Sequence, residues 1–488
     1  MITCNGNIQA DAIVVGIDKT KQLMQHIPKE DATLIYKYLE TRSSNLAFAS
    51  VQVFHCVCED RVKVYFLIGQ ENGMSKTRDF SDYTAARQVM ALAMKEHCQS
   101  LAVYVDTLSM RMETLIDGLL DRNYEFIQYM KNKEKCVVEK INVITSSLQV
   151  KEINSLCYKY MSMYEGIYKA RDLVNMPPNE LTPRKFVDLM ATILQGGGGK
   201  VEYFNKWSLE KMKMGGISAV GKGSMNPPQL VVIQYLGDPD NPDKLGLIGK
   251  GVTYDSGGLS LKSAANQEFM KDDMAGAATV VGIIKALQYL KYPVNVMGVI
   301  PLVENIPSSM SYHVDDIITM YDGTTVEIKN TDAEGRLILA DALSYAQEKG
   351  ATRLIDLATL TGACVTALGT IRSGMVGNNQ EWMNQFFCVA EQNHEKVWQF
   401  PFDAEYGESL KSQVADLKNI GGRDAGAITA GMFLNHFVRA DIPWLHVDIA
   451  GTAFCEQADK TGFYGATGVG IKSILELLRS GSIEKNNQ

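Results

Sequence analysis

Acidic side chains threaded with a few cations mark the part of this sequence that could do chemistry. The stretch Lys250-Gly-Val-Thr-Tyr-Asp255-Ser-Gly-Gly-Leu-Ser-Leu-Lys262 is followed by Asp273 and then by Asn330-Thr-Asp332-Ala-Glu334-Gly-Arg336. Buried charge is costly without a partner, so such a density of carboxylates in apolar, glycine-rich surroundings is a poor packing solution. Two divalent ions would balance Asp255, Asp273, Asp332 and Glu334. Histidine-free carboxylate sites suit magnesium, manganese or zinc, and paired ions ~3.5–4 Å apart commonly activate water for hydrolysis. Lys250 could join such a site only as the neutral amine, which requires metal charge and burial to lower its pKa strongly. Asn330, Asp332, Glu334 and Arg336 are spaced by two, which predicts an extended segment presenting all four to one side.

Each of these residues also has an ordinary reading. Asp332 and Glu334 could complement the dipole of a helix beginning near Leu337, and Asp272 with Asp273 could do the same for one beginning near Ala275. Lys262 and Arg336 could be surface partners for acids. Their concentration between positions 250 and 336, beside Gly257, Gly258 and Gly335, favours a shared site over separate coincidences.

The elements that must hold them follow from periodicity. Leu230–Tyr235, Leu245–Gly249, Val294–Ile300 and Arg353–Leu360 are apolar enough for strands buried on both faces, while 275–290, 337–349 and 427–438 carry helical spacing. This predicts an α/β domain with a mixed, largely parallel central sheet covered by helices, whose sites lie at the carboxyl ends of strands. Upstream, strands at 12–17, 46–54, 62–68 and 101–105 with helices at 79–97 and 112–131 predict a smaller N-terminal α/β domain. Between the two, Ile153, Leu156, Tyr160, Met163, Ile167 and Ala170 line one helical face until Pro177 and Pro178 stop it. The expected division is an N-terminal domain over 1–150, a connecting helix over 151–172 and a catalytic domain over 173–488. Gly216–Lys222 approaches a phosphate-binding loop, but Gly223 stands where that loop needs Ser or Thr, so a glycine-rich turn is expected.

The totals narrow the function. At 488 residues the chain exceeds the ~250–300 at which single cores stop growing. A net charge of −8 argues against non-specific binding to nucleic acid or anionic membranes. No basic N-terminal region leads into an apolar run, and no segment reaches the ~18 apolar residues of a membrane span. The cysteines are odd in number and scattered, with Cys56 and Cys58 the one close pair, on a predicted strand. A reducing, cytoplasmic location and no membrane partner are expected. The histidines form no His-Glu-x-x-His pair, so a histidine-ligated zinc site is not expected.

Asn330-Thr-Asp-Ala-Glu-Gly-Arg336-Leu is similar to the signature octapeptide of the cytosolic leucyl aminopeptidase family. Gly249–Lys262, Met270–Met274, Thr359–Ala363, Ala170–Asn175, Ala415–Asn419 and Trp444–Gly451 resemble further blocks of that family. The likeness covers about 165 to 475 and extends to the first 150 residues only in layout. It implies a metal-dependent aminopeptidase that releases N-terminal residues, leucine among them, from peptides with a free N-terminus. By resemblance, Lys250, Asp255, Asp273, Asp332 and Glu334 hold two divalent ions, zinc or manganese, with magnesium or cobalt as alternatives. Asp255 and Glu334 would touch both ions, and Asp332 would add its backbone carbonyl. The tight site would use Lys250, Asp255, Asp273 and Glu334; the exchangeable one would use Asp255, Asp332 and Glu334. Lys262 and Arg336 would be the catalytic pair, with Arg336 holding a bicarbonate ion as general base. Lys262, Asn330, Thr359, Leu360 and Gly362 would contact substrate. The resemblance also implies a homohexamer with its active sites facing an interior cavity. Ser263, Tyr254, Asp272 and Ala275 depart from the family's usual residues.

Two other classes use some of the same features. A two-metal phosphoesterase would need a similar carboxylate cluster but no lysine ligand. A nucleic-acid-binding role of the N-terminal domain would rest on modest basic clusters such as Lys131-Asn-Lys-Glu-Lys135, which more often form a solvated turn.

Overall fold

Apolar runs that have no polar alternation can be accommodated only where both faces of a sheet are covered, and this chain places its longest run, Asn295–Asn305, at such a position. The computed structural model describes residues 1–6, 9–17, 22–41, 46–58, 61–70, 78–146, 149–197 and 199–486. They form two compact units, one of Met1–Tyr164 with Ala458–Phe463 and one of Glu165–Gln457 with Tyr464–Gln488. The helix Val150–Asn175 contributes residues to both.

The first unit is built on β1 (Ile2–Cys4), β2 (Ala12–Ile17), β3 (Val51–Cys58), β4 (Arg61–Gly69), β5 (Ser100–Tyr104) and β6 (Lys140–Ile144), ordered β1-β6-β5-β2-β4-β3. All neighbours are parallel except the β3–β4 hairpin. Two expectations are corrected here. The strand expected from Leu46 begins at Val51, because Ser50 donates back to Ala47 (3.0 Å) and Ala49 takes a positive φ of 57°. The helix expected over 112–131 stops at Arg122, where the Asn123 side chain pairs with both the N–H and the carbonyl of Val138 (2.8 Å each).

The second unit holds a nine-stranded sheet. Its strands are β7 (Lys200–Asn205), β8 (Gln229–Leu236), β9 (Lys244–Gly249), β10 (Gly251–Asp255), β11 (Asn295–Asn305), β14 (Arg353–Ala358), β15 (Ser373–Gly377), β16 (Val397–Gln399) and β18 (Trp444–Asp448). The order is β16-β15-β18-β14-β9-β11-β8-β7, with β10 also on β11. A small separate sheet joins β12 (Ile317–Thr319), β13 (Thr325–Glu327) and β17 (Leu417–Lys418). At the centre, β18, β14, β9, β11 and β10 run parallel, whereas β7, β8 and β15 pair antiparallel. The sheet is therefore mixed and largely parallel at its core, as the apolar runs predict.

Helices Ala275–Leu290 and Gly335–Glu348 are buried along nearly their whole lengths, which explains why apolar residues surround them instead of forming a narrow stripe. One large core joins the Gly335–Glu348 helix (Leu337, Leu339, Leu343) to strand residues such as Val299, Leu354 and Trp444. The expected glycine-rich turn at 216–222 is instead the helix Gly215–Gly221, with the Ile217 N–H donated to buried Asp341 (2.9 Å). Its glycines serve close packing: a Cβ on Gly216 would lie 2.4 Å from the Leu337 carbonyl oxygen.

Candidate metal centre

The strand β11 is long enough to pair first with β9, from Asn295 to Val299, and then with β10, from Leu302 to Asn305. Lys250 sits at the joint between β9 and β10, its N–H still bonded to Leu357 of β14 (3.0 Å). Asp255 closes β10, Thr359 follows β14, and Asp448 closes β18. Asp273 precedes the Ala275–Leu290 helix and Glu334 directly precedes Gly335–Glu348. The sheet's carboxyl edge thus collects side chains that are far apart in sequence, as expected for parallel α/β sheets.

The contacts are short. Lys250 Nζ lies 2.6 Å from Asp273 Oδ1 and 2.9 Å from Glu334 Oε1, and it donates to the Thr359 carbonyl at 2.8 Å. Thr359 Oγ1 donates to the same Asp273 oxygen (2.9 Å). Lys262 Nζ pairs with Asp255 Oδ2 at 2.9 Å and with Asp332. Asp255, Asp273 and Glu334 are buried and offer carboxylate oxygens that all lie within 4.8 Å of one another. Asp273 Oδ2 and Glu334 Oε2 are buried and receive no hydrogen bond from the described residues.

Burial raises Asp255 to about 7, reinforced by Glu334 and opposed by Lys262 and Lys250. Burial likewise pushes Asp273 well above the usual carboxylate range and raises Asp332. Glu334 is also penalised by burial, but the ammonium groups of Lys250 and Lys262 outweigh that penalty and hold it low. Lys250 and Lys262 are both raised, since Asp273, Glu334 and Asp255 overcome their desolvation. Among the protein's own groups, the two lysines are therefore the cations that balance these acids.

The expectation of an extended Asn330–Arg336 segment is corrected. Asn330 Oδ1 accepts the Asp332 N–H (2.8 Å) in a turn, Glu334 has helical dihedrals (φ −78°, ψ −36°), and Arg336 lies in the first helical turn. The turn and helix start give Arg336 a different partner from Glu334. Arg336 donates to the Asn419 carbonyl (2.8 Å) and is lowered to about 10 by burial, against the pull of Glu334 and Asp448. Its Nε is buried without an acceptor among the described residues.

Of the residues expected near substrate, Leu360 gives its N–H to Asp448 Oδ1 (3.1 Å), and Gly362 opens the Gly362–Leu368 helix with free space where a side chain would stand. Ser263 keeps φ at −61°, a value proline would also take, and the Tyr254 hydroxyl is used on Gln267 (3.3 Å). Asp272 is buried beside Asp273 and is raised to about 7 by burial and Glu456.

The residues that periodicity and spacing passed over are polar ones inside apolar strands. Asp448 accepts from Leu360, Thr361 and Ala450; Asp356 joins Trp444 (2.7 Å) to His446 (2.6 Å); Asn305 touches Asp255 (2.8 Å). The available signal was a lone Asn or Asp in a run otherwise fit for burial.

Helices over a largely parallel sheet, with carboxylates and lysines converging at the strand ends, define an α/β protein whose buried acids could hold a divalent metal. Comparison with known proteins makes the class specific. The profile described as "Cytosol aminopeptidase family, catalytic domain" matches residues 168–475. A probable cytosol aminopeptidase of Alkaliphilus oremlandii is 37% identical over 97% of each chain. Among solved structures, a mutant of tomato leucine aminopeptidase superposes with a TM-score of 0.85 at 28% identity, covering 98% of this chain and 96% of that one. The bottromycin maturation enzyme BotP in complex with Mn gives 0.83 at 29% identity, covering 97% and 100%. This chain belongs to the cytosol aminopeptidase family and is a leucyl aminopeptidase-type metallohydrolase. Among the described residues, no helix is long and apolar enough to cross a membrane.

Proposed function

We propose that this aminopeptidase cleaves the first peptide bond of chains with a free α-amine, using two divalent ions held by Lys250, Asp255, Asp273, Asp332 and Glu334. One observation carries the reading: Asp255, Asp273 and Glu334 converge within 4.8 Å, and two of their buried oxygens have no donor. Buried carboxylate oxygens without donors fit a divalent cation of the hard or borderline kind. Zinc or manganese is our first choice, with magnesium or cobalt as alternatives; the manganese complex of BotP supports manganese. Asp255 and Glu334 would serve both ions.

Lys250 must give up its proton to act as a ligand, so loading the site should release protons. Bound ions supply Lewis acidity, which polarises a carbonyl and lowers the pKa of water from 15.7 toward about 7. Lys262, oriented by Asp255 and Asp332, presents its ammonium to the oxyanion developing on the scissile carbonyl. Arg336, buried and fixed on the Asn419 carbonyl, would hold a bicarbonate ion, which would supply a general base. Thr359, Leu360, Gly362 and Asn330 shape the wall along which the peptide lies. We also carry over from the family resemblance a homohexamer and a cytoplasmic location.

Dialysis against chelator should abolish cleavage of aminoacyl anilides, and manganese or zinc should restore it. Glu334→Ala should lose both metal and peptidase activity. Near-normal peptidase activity in that variant would reject the scheme.

A further inference from the structure

The acids of the site come from segments with no continuous secondary structure between them, so something must set their separation. Parallel pairing of β10 with β11 contains an irregularity: Val252 pairs with Val303, but Tyr254 pairs with Glu304. The extra residue, Thr253, advances the register so that Asp255 faces Asn305, the last residues of the two strands. Directly paired residues of a sheet project to the same face, which brings the Asn305 carboxamide against the Asp255 carboxylate.

Asn305 is 1% exposed. Its Nδ2 donates one proton to Asp255 Oδ1 (2.8 Å) and the other to the Thr331 carbonyl (2.9 Å). Asp255 Oδ1 also accepts the Gly257 N–H (2.8 Å), leaving Oδ2 directed at Lys262. The Thr331 carbonyl additionally accepts the Tyr312 hydroxyl (2.7 Å), and Thr331 Oγ1 donates to Gly257 (2.7 Å). Gly258 lies at φ +64°, and a Cβ there would come within 2.7 Å of Asn305 Oδ1, so the loop after Asp255 is moulded around this side chain. One amide group therefore ties the end of β10 to the turn that carries Asp332 and Glu334.

We propose that Asn305 is a positioning residue of the metal site, fixing the distance between Asp255 and the Thr331–Glu334 turn so that the ion shared by Asp255, Asp332 and Glu334 is retained. The inference rests on the two-ion reading above. No other side chain among the described residues bonds both Asp255 and Thr331 through one group. An aspartate here would be isosteric but would offer no N–H to either acceptor, and its charge would repel Asp255.

The test is calorimetric titration of the chelator-stripped full-length chain with Mn²⁺, alongside thermal unfolding. The unmodified chain should take up two equivalents. Asn305→Ala and Asn305→Asp should keep the tighter one within about threefold and weaken the other about tenfold or more, the usual cost of losing a group behind a metal ligand. Tyr312→Phe removes only the second donor to the Thr331 carbonyl and leaves Asp255 alone. It should weaken the second ion by a smaller factor, and it supplies the answer if the Asn305 variants fold poorly. Two equivalents bound with unchanged affinity by the Asn305 variants, or by Tyr312→Phe where only that variant folds, overturn the role. So does an equal loss of both ions from a folded Asn305 variant. Absence of two equivalents in the unmodified chain would instead reject the two-ion reading.

Discussion

Gly335→Ala puts helix propensity and site geometry in opposition. Gly335 is the first residue of the Gly335–Glu348 helix, and its backbone needs no positive φ, so the helix itself would accept alanine. In a helix interior that exchange stabilises by up to about 1 kcal/mol. The new Cβ, however, would lie 2.5 Å from Lys250 Cε and 2.8 Å from Nζ. Lys250 would have to withdraw by about 0.9 Å to restore the 3.4 Å at which ordinary contact begins. Its side chain is only 3% exposed and is clamped by Asp273, Glu334 and Thr359, so no free rotamer space absorbs the shift. Metal–ligand distances tolerate only about 0.2 Å. The expected result is a folded chain of lowered thermal stability in chelator, because overpacking costs about 1–3 kcal/mol against a smaller gain in helix propensity, with affinity for its tighter ion reduced between about tenfold and a hundredfold. Metal titration and thermal unfolding measured on the same preparation decide it. A Gly335→Ala variant that binds Mn²⁺ as tightly as the unmodified chain would refute the joint premise that Lys250 is a ligand held rigidly against Gly335.

Two further outcomes are expected. Lys262→Ala and Arg336→Ala should each lower kcat by at least about 10² while metal content by elemental analysis stays unchanged, because Lys262 would act on developing charge, Arg336 would hold the general base, and neither is assigned as a metal ligand. Loss of metal from either variant would move that residue into the ligand set. The second outcome concerns His446, for which burial works to lower the pKa, but Asp356 outweighs it, with Asp448 adding and Arg336 opposing, so the imidazole is raised above its ordinary value. A folded-state pKa above the unfolded ~6.5 gives stabilisation that is complete below ~6.5 and lost as pH rises through the folded value. His446→Asn keeps a donor for Asp356 without a titrating ring. Its deficit in Tm relative to the unmodified chain should therefore shrink as pH is raised, and parallel Tm profiles would contradict this.

Much of the molecule is decided by local pattern. Runs such as Val294–Ile300 can be buried only in a covered sheet, and Asp255, Asp273, Asp332 and Glu334 sit too close in sequence, with too many glycines beside them, for ordinary surface acids. Residue types and spacing therefore determined an α/β fold and the convergence of Asp255, Asp273 and Glu334. Spacing alone was misleading where the backbone changes conformation. The two-residue repeat from Asn330 to Arg336 suggests one face of a strand, but a turn followed by a helix start sends Glu334 to Lys250 and Arg336 to Asn419. Tertiary structure alone decided which oxygen of each carboxylate is engaged, since that depends on Lys250 at a strand joint, on Lys262 across a loop, and on a one-residue irregularity that brings Asn305 opposite Asp255. Those contacts span long sequence separations, and their geometry is set by strand register and helix docking, which no local pattern encodes.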